Sequence, residues 1–189
     1  MQLNDTANKI LDIAEGFTQT RGFNAFSYKD IQRELGIKTS SIHYYFPTKQ
    51  DLAISMMERY LRQFKEQLEE IAQRNTTAKI KLETLANLFI SAAKEGKFCL
   101  CGMLAADILA MPSDVNEYLG AFFAANELWI AERIREGVRQ REFKGWVHPE
   151  HAAAHLLATL EGGMLIARTR KQAEYLEAVV TEALEQLNA

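Results

Sequence analysis

The sequence predicts an all-α chain of about nine helices, and three observations carry that expectation. Apolar residues recur at three- and four-residue spacing along most of the 189 residues, while the strict alternation of a half-buried strand is nearly absent. Glycines, prolines and capping hydroxyls punctuate the periodic stretches at helix-length intervals. Hydrophobic residues make up 48% of the chain, enough to bury a core and to exclude intrinsic disorder.

Taken in order, Ile10, Ile13, Ala14 and Phe17 stripe a first helix that Gly22 stops. Ser27 caps a short second helix with Asp30 in the capping-box position; Leu35 ends it and Gly36 makes a tight turn. A third helix spans about 39–46 and cannot pass Pro47. Thr48 and Asp51 form another capping box and open a long fourth helix striped by Leu52, Met56, Tyr60, Phe64, Leu68 and Ile71. Asn75-Thr76-Thr77 breaks it, and Leu82, Leu85, Leu88, Phe89 and Ala92 mark a fifth helix ending near Gly96. The sixth covers about 102–111, and Pro112-Ser113 opens a seventh carrying Val115, Tyr118, Phe122, Trp129, Ile134 and Val138. Gly145 lies in a loop, and His148-Pro149 reads as cap and first-turn proline of an eighth helix with Leu156, Leu157, Leu160 and Met164. Leu176, Val179, Val180, Ala183, Leu184 and Leu187 stripe the ninth. The short helices of residues 1–47 and the longer ones of 48–189 are expected to form two parts, joined through the fourth helix.

Net charge is −3, which excludes coating of nucleic acid or anionic membrane by bulk charge. The balance is uneven: residues 1–50 hold six Lys/Arg and five Asp/Glu, a mildly basic head on an acidic body. No leading apolar stretch resembles a secretory signal and no apolar run reaches the roughly 20 residues of a membrane span, so a cytoplasmic protein is expected. Two cysteines are too few for a disulfide scaffold.

The stretch GIKTSSIHYYFPTK, residues 36–49, has a composition that neither a core nor a linker explains. Helix two, a glycine turn and a short helix three make a helix-turn-helix arrangement, whose second helix enters the DNA major groove. Thr39, Ser40 and Ser41 would then sit in the first turn, close to base edges, with free amides favouring phosphate. His43, Tyr44 and Tyr45 can reach phosphate oxygens from the flank. Lys38 and Lys49 would neutralise backbone charge, and Ser27 and Tyr28 would touch the opposite strand. Against this stands a plainer account: helix–Gly–helix units are common in all-α proteins, Ile42 and Phe46 belong to the core, and Ser27 and Thr48 are sufficient as caps.

Residues 21–23 (RGF), 26–37 (FSYKDIQRELGI) and 40–52 (SSIHYYFPTKQDL) resemble the N-terminal domain of TetR/AcrR-family transcriptional regulators. The aromatic-aromatic-Phe-Pro-x-Lys run leading into a long helix is specific to that family. Motif-level similarity covers about a quarter of the chain. Many members carry Lys-Gly where Thr39 and Ser40 stand, so operator sequence does not transfer by analogy. The resemblance implies a DNA-binding regulator, a repressor, that binds a pseudo-palindromic operator as a homodimer. It also implies a dimer interface on helices eight and nine and a small-molecule inducer held among helices four to seven. Ala152, Ala153, Ala154, Gly162 and Gly163 would permit close approach in that interface.

Pocket candidates are Phe64, Phe89, Met103, Leu104, Phe122, Phe123, Asn126, Trp129 and His155, each of which plain core packing also explains. Cys99 and Cys101, at the start of helix six, are further candidates as pocket or reactive groups; the alternative is two small buried residues. His148, His151 and His155 lack an evident complete ligand geometry, so neither metal nor cofactor is expected. No Gly-rich phosphate loop, His-Glu-x-x-His pair or nucleophile elbow appears, which leaves an enzyme disfavoured. A helical adaptor with a degenerate head is the other rival, and the set of Lys38, Tyr44, Tyr45 and Lys49 argues against it.

Overall fold

A computed structural model describes residues 4–111 and 113–189, leaving out the side chain of Ala110; the expected break at Pro112 lies outside the described residues. Among them are nine α-helices and no strand, only an isolated antiparallel bridge between Phe143 and Asn188. The helices are α1 (Asp5–Arg21), α2 (Tyr28–Leu35), α3 (Thr39–Tyr45), α4 (Lys49–Gln73), α5 (Ala78–Lys94), α6 (Leu100–Ala106), α7 (Ser113–Arg139), α8 (Pro149–Arg170) and α9 (Ala173–Glu185). No helix among the described residues is long and apolar enough to cross a membrane.

Most boundaries fall where the local chemistry puts them. Gly22 (φ 99°) and Gly36 (φ 70°, ψ 22°) end α1 and α2 with positive φ, and both backbone amides cap back onto the preceding helix. The Thr48 hydroxyl accepts from the Asp51 amide at 3.1 Å while Asp51 accepts from the Thr48 amide at 2.9 Å, closing the box ahead of α4. One element differs from expectation. The sixth helix starts earlier and ends at Ala106, followed by a 3-10 turn at Ile108–Ala110. Asp107 leaves the helical conformation, and its carboxylate accepts from Asn24 at 3.1 Å.

The chain folds as two compact units. The first takes the described residues up to Gln63 together with Leu100–Gly120; the second takes Phe64–Cys99 and Ala121–Ala189. The first unit extends past α3 because α6 packs on α1 and because the start of α4 shares its core. That core joins Ile10, Leu11, Ala14, Ile31, Ile42, Phe46, Leu52 and Met56, all fully or almost fully buried. In the second unit α5, α8 and α9 pack together. A Cβ on Gly163 would come 2.7 Å from Leu176 Cδ1, so the α8–α9 crossing depends on a residue without a side chain.

Candidate functional site

The helix-turn-helix is built on a buried hinge. Ile31 of α2 and Ile42 of α3 are fully buried, and the αL conformation of Gly36 turns the chain between them. The Thr39 hydroxyl donates to Gln32 Oε1, fastening the first turn of α3 to α2. Ser27 donates its hydroxyl hydrogen to Asp30 at 2.7 Å, and that bond, ahead of any charge effect, holds the Asp30 carboxyl below its usual range. Thr39 and Ser27, both expected at the DNA surface, therefore have their hydroxyl hydrogens engaged within the domain.

With Ile42 and Phe46 turned inward, α3 presents Ser40, His43 and Tyr44 to solvent, at i, i+3 and i+4. Lys38 at the N-cap is exposed too, and Ser41 and Tyr45 are half-buried at the edges of this face. Tyr44 is 80% exposed, which no packing requirement explains. Its ring meets Tyr45 edge-on at 5.0 Å. The His43 ring packs on Tyr28 at 4.8 Å with Nδ1 3.0 Å from the Pro47 carbonyl oxygen. That carbonyl only accepts, so Nδ1 supplies the hydrogen of this contact. The face thus holds hydroxyls, one imidazole and a single lysine, with no Arg, Asn or Gln fork.

Two expected DNA contacts have other work. Tyr28 is buried; its hydroxyl lies 2.6 Å from the Thr48 carbonyl oxygen and 2.9 Å from that of Phe46, and burial raises the phenol, with the Asp51 carboxylate adding to it. It ties α2 to the α3–α4 junction rather than reaching outward. The Lys49 ammonium is turned inward in the same way. It donates to the Phe23 and Phe26 carbonyl oxygens and sits over both rings, 4.6 and 4.4 Å from the centroids. Desolvation pulls its pKa down, partly offset by Asp30. Sequence position suggested a phosphate cation; the structure makes Lys49 the fastener of the α1–α2 loop.

Three further residues shape this unit. Asn4 caps α1, its Oδ1 accepting from the Ala7 amide at 2.9 Å, and its amide nitrogen donates to the Tyr45 hydroxyl at 2.7 Å. Arg59 of α4 is only 5% exposed and donates to Asp12 at 2.6 Å, Glu15 at 3.0 Å and the Asn8 carbonyl at 3.1 Å. On the neighbouring residue, Glu58 accepts from the Tyr118 hydroxyl of α7 at 2.7 Å, and this bond raises the Tyr118 pKa. Asn4 was legible as a cap, being an Asn before an apolar stripe. Arg59 carried no local signal.

The expected ligand residues divide by unit. In the second, Phe64, Phe89 and Phe122 are buried, with Phe64 6.4 Å from Phe89 and 5.2 Å from Phe122, and Phe123 lies edge-on to Phe122 at 5.3 Å. One turn along α7, the Asn126 amide donates to the Phe122 carbonyl at 2.9 Å, while its buried Oδ1 has no donor among the described residues. Trp129 donates Nε1 to the Leu68 carbonyl at 3.1 Å. Cys99 is buried here as well. Met103, half-buried, and Leu104 and Cys101, fully buried, belong to the first unit with α6. His155 does not join the ring group; it lies exposed on α8. Glu161, not among the residues expected from the sequence, has carboxyl oxygens buried without a hydrogen-bonding partner among the described residues. Burial pushes its pKa up to about 7, and the nearby Cys99 thiol, outside full hydrogen-bond geometry, only partly opposes this. A glutamate between Leu160 and Gly162-Gly163 in an apolar helix was the available signal. No group of three metal-ligating side chains occurs among the described residues.

A family profile described as "Bacterial regulatory proteins, tetR family" matches residues 10–56, from within α1 to within α4. The fatty acid metabolism regulator protein of Bacillus subtilis (strain 168) is 31% identical over 132 residues, 68% of each chain. A TetR transcriptional regulator from Legionella pneumophila has a crystal structure that superposes at TM-score 0.88 with 28% identity, covering 100% of both chains. A TetR-family regulator from Agrobacterium tumefaciens superposes at 0.91 with 27% identity over 97% of each.

Proposed function

The chain belongs to the tetR family of bacterial regulatory proteins, DNA-binding transcriptional repressors, and from that premise we propose that it works as a homodimer on a pseudo-palindromic operator and leaves it when a small molecule binds. The observation that carries the DNA reading is the solvent-facing set of Lys38, Ser40, His43 and Tyr44 on a rigidly braced α3 inside the matched segment. Ser41 and Tyr45 extend this surface at its edges, with Ser27 at the start of α2. Tyr28, Thr39 and Lys49 hold the surface in shape.

Dimerisation is supported by the outer face of α8. Ala154, His155, Ala158, Leu165 and Ile166 are exposed along it, with half-buried Gly162 between, a stripe of small and apolar side chains that allows a second helix to approach closely. On α9, Ala178 and Thr181 are exposed as well. Two recognition helices related by a twofold axis would meet two half-sites. The inducer reading rests on the second unit, where aromatic rings lie in one apolar region and where Asn126 Oδ1 and the Glu161 carboxyl are buried acceptors without donors of their own. A ligand carrying an apolar body and hydrogen-bond donors fits those groups. α4 passes unbroken from the first unit into the second, so a ligand that prefers one setting of α4 would shift the spacing of the two heads.

Selection of bound fragments from fragmented genomic DNA tests the reading. Enrichment of inverted-repeat sites is expected. Failure to retain any duplex at low ionic strength would remove it.

A further inference from the structure

The Asn4 side chain is fixed at both ends. Its Oδ1 accepts from the Ala7 amide at 2.9 Å, so the other end must be the amide nitrogen, and this donates to the Tyr45 hydroxyl oxygen at 2.7 Å. A phenol has one hydrogen to give. With an amide hydrogen already directed at its oxygen, Tyr45 keeps its own hydrogen for a different acceptor, and the structure shows none for it among the described residues. Tyr45 ends α3, half-exposed, with its ring against the exposed Tyr44.

We propose that Asn4 is a positioning residue for DNA binding: it orients the Tyr45 hydroxyl so that this group meets the duplex as a donor to a phosphate oxygen. The inference rests on the reading of α3 as the DNA-facing helix. Phosphate oxygens only accept, so a tyrosine whose hydrogen pointed back into the protein would bring lone pair against lone pair. Asn4 removes that orientation before binding, at a position 41 residues away in sequence. It also couples the cap of α1 to the end of α3, which keeps the hydroxyl in place.

The proposal separates cleanly from capping. Asn4→Asp retains an N-cap oxygen for the Ala7 amide, and the added charge suits a helix N-terminus. A carboxylate cannot donate, however; it captures the phenolic hydrogen and reverses the polarity of Tyr45. Asn4→Ser keeps a cap, adds no charge and cannot reach Tyr45. The test is a double-mutant cycle on a selected operator fragment, reading fluorescence anisotropy across salt concentrations and the thermal midpoint of each protein. Tyr45→Phe is expected to weaken binding about tenfold with the salt slope unchanged, because a neutral donor releases no counterion. Asn4→Asp is expected to weaken it at least as much with the midpoint held, and Asn4→Ser about two- to threefold. In the Tyr45→Phe background, Asn4→Asp should cost at least fivefold less than in the parent, leaving only the effect of its charge. An Asn4→Asp penalty of equal size in both backgrounds, or no penalty at all, overturns the proposal. Parent protein that retains no duplex overturns instead the underlying reading of α3.

Discussion

Lys49 follows Pro47 by two residues and opens a helix, a setting in which a cation invites assignment to phosphate, yet its ammonium holds the Phe23 and Phe26 carbonyls across 26 and 23 residues of chain. Lys49→Ala should therefore lower stability by about 1–2 kcal/mol, the range of charge-assisted hydrogen bonds in a half-buried place, and leave the salt slope of DNA binding unchanged. Lys38→Ala should do the reverse, flattening the slope by about one unit for each subunit engaged and leaving the unfolding midpoint alone. Titrating both proteins with salt and urea distinguishes them; a flattened slope in Lys49→Ala would return that residue to the DNA surface. Glu161 poses a second residue-level question, because its folded-state pKa of about 7 lies above the ordinary 4.5. Folding then takes up a proton between those values, so the contribution of this group is fully present below about pH 4.5 and is lost as pH rises toward 7. The total is about 3 kcal/mol. Carboxylates held low, such as Asp30 and Glu150, push the other way. The measurement is accordingly the difference between parent and Glu161→Gln in urea midpoint at each pH from 4.5 to 8. The parent should lose its advantage steadily across that interval, and a pH-independent difference would show that the carboxyl stays charged when folded.

Among the elements, what the sequence made legible is what neighbouring residues decide. The capping boxes of Ser27 with Asp30 and Thr48 with Asp51, the stops at Gly22 and Gly36, and the Pro149 start of α8 all depend on atoms within four residues, and all stand where the pattern put them. The end of α6 does not, because Asn24 binds Asp107 from 83 residues away. The inward turn of Lys49, the burial of Arg59 against α1 and the Asn4–Tyr45 pair escaped for the same reason: each is a long-range choice between partners that composition leaves equal. The solvent-facing side of α3 was legible in outline, since helical periodicity alone separates Ile42 and Phe46 from Ser40, His43 and Tyr44. Gly36 sets the turn between α2 and α3. A Cβ there meets nothing within 4 Å, so Gly36→Ala carries only the backbone cost of a left-handed residue, about 1 kcal/mol. Gly36→Asn, which tolerates that conformation, should cost less. If alanine were accepted without loss in a urea unfolding series, the αL turn between α2 and α3 would not be a constraint.

At the scale of the whole molecule, the difficulty is that a chain of net charge −3 must hold a polyanion. One α3 of seven residues, with Lys38 as the lysine on its outward face, neutralises few phosphates, so a single head binds weakly and with a shallow salt slope. Two heads joined in one body convert the second contact into an intramolecular event, with gains of about 10² or more when the spacing fits. The proposed dimer would thus serve affinity as well as symmetry, and the exposed apolar stripe of α8 is where the proposal places its interface. Leu165 is 57% exposed, and a glutamate there adds charge to a surface that must be dry when paired, without touching the core. Leu165→Glu should sediment as a monomer, keep its helical circular dichroism, lose about 10²-fold or more in operator affinity, and show roughly half the parent salt slope. Leu109→Glu, at a fully exposed leucine of the turn after α6, adds the same charge and should change neither the assembly nor the affinity by comparable amounts. If Leu165→Glu still sedimented as a dimer, the α8 stripe would not be where two copies meet. If it were a monomer with parental affinity, one head would be enough for the operator and the spacing of two heads could not be what an inducer controls.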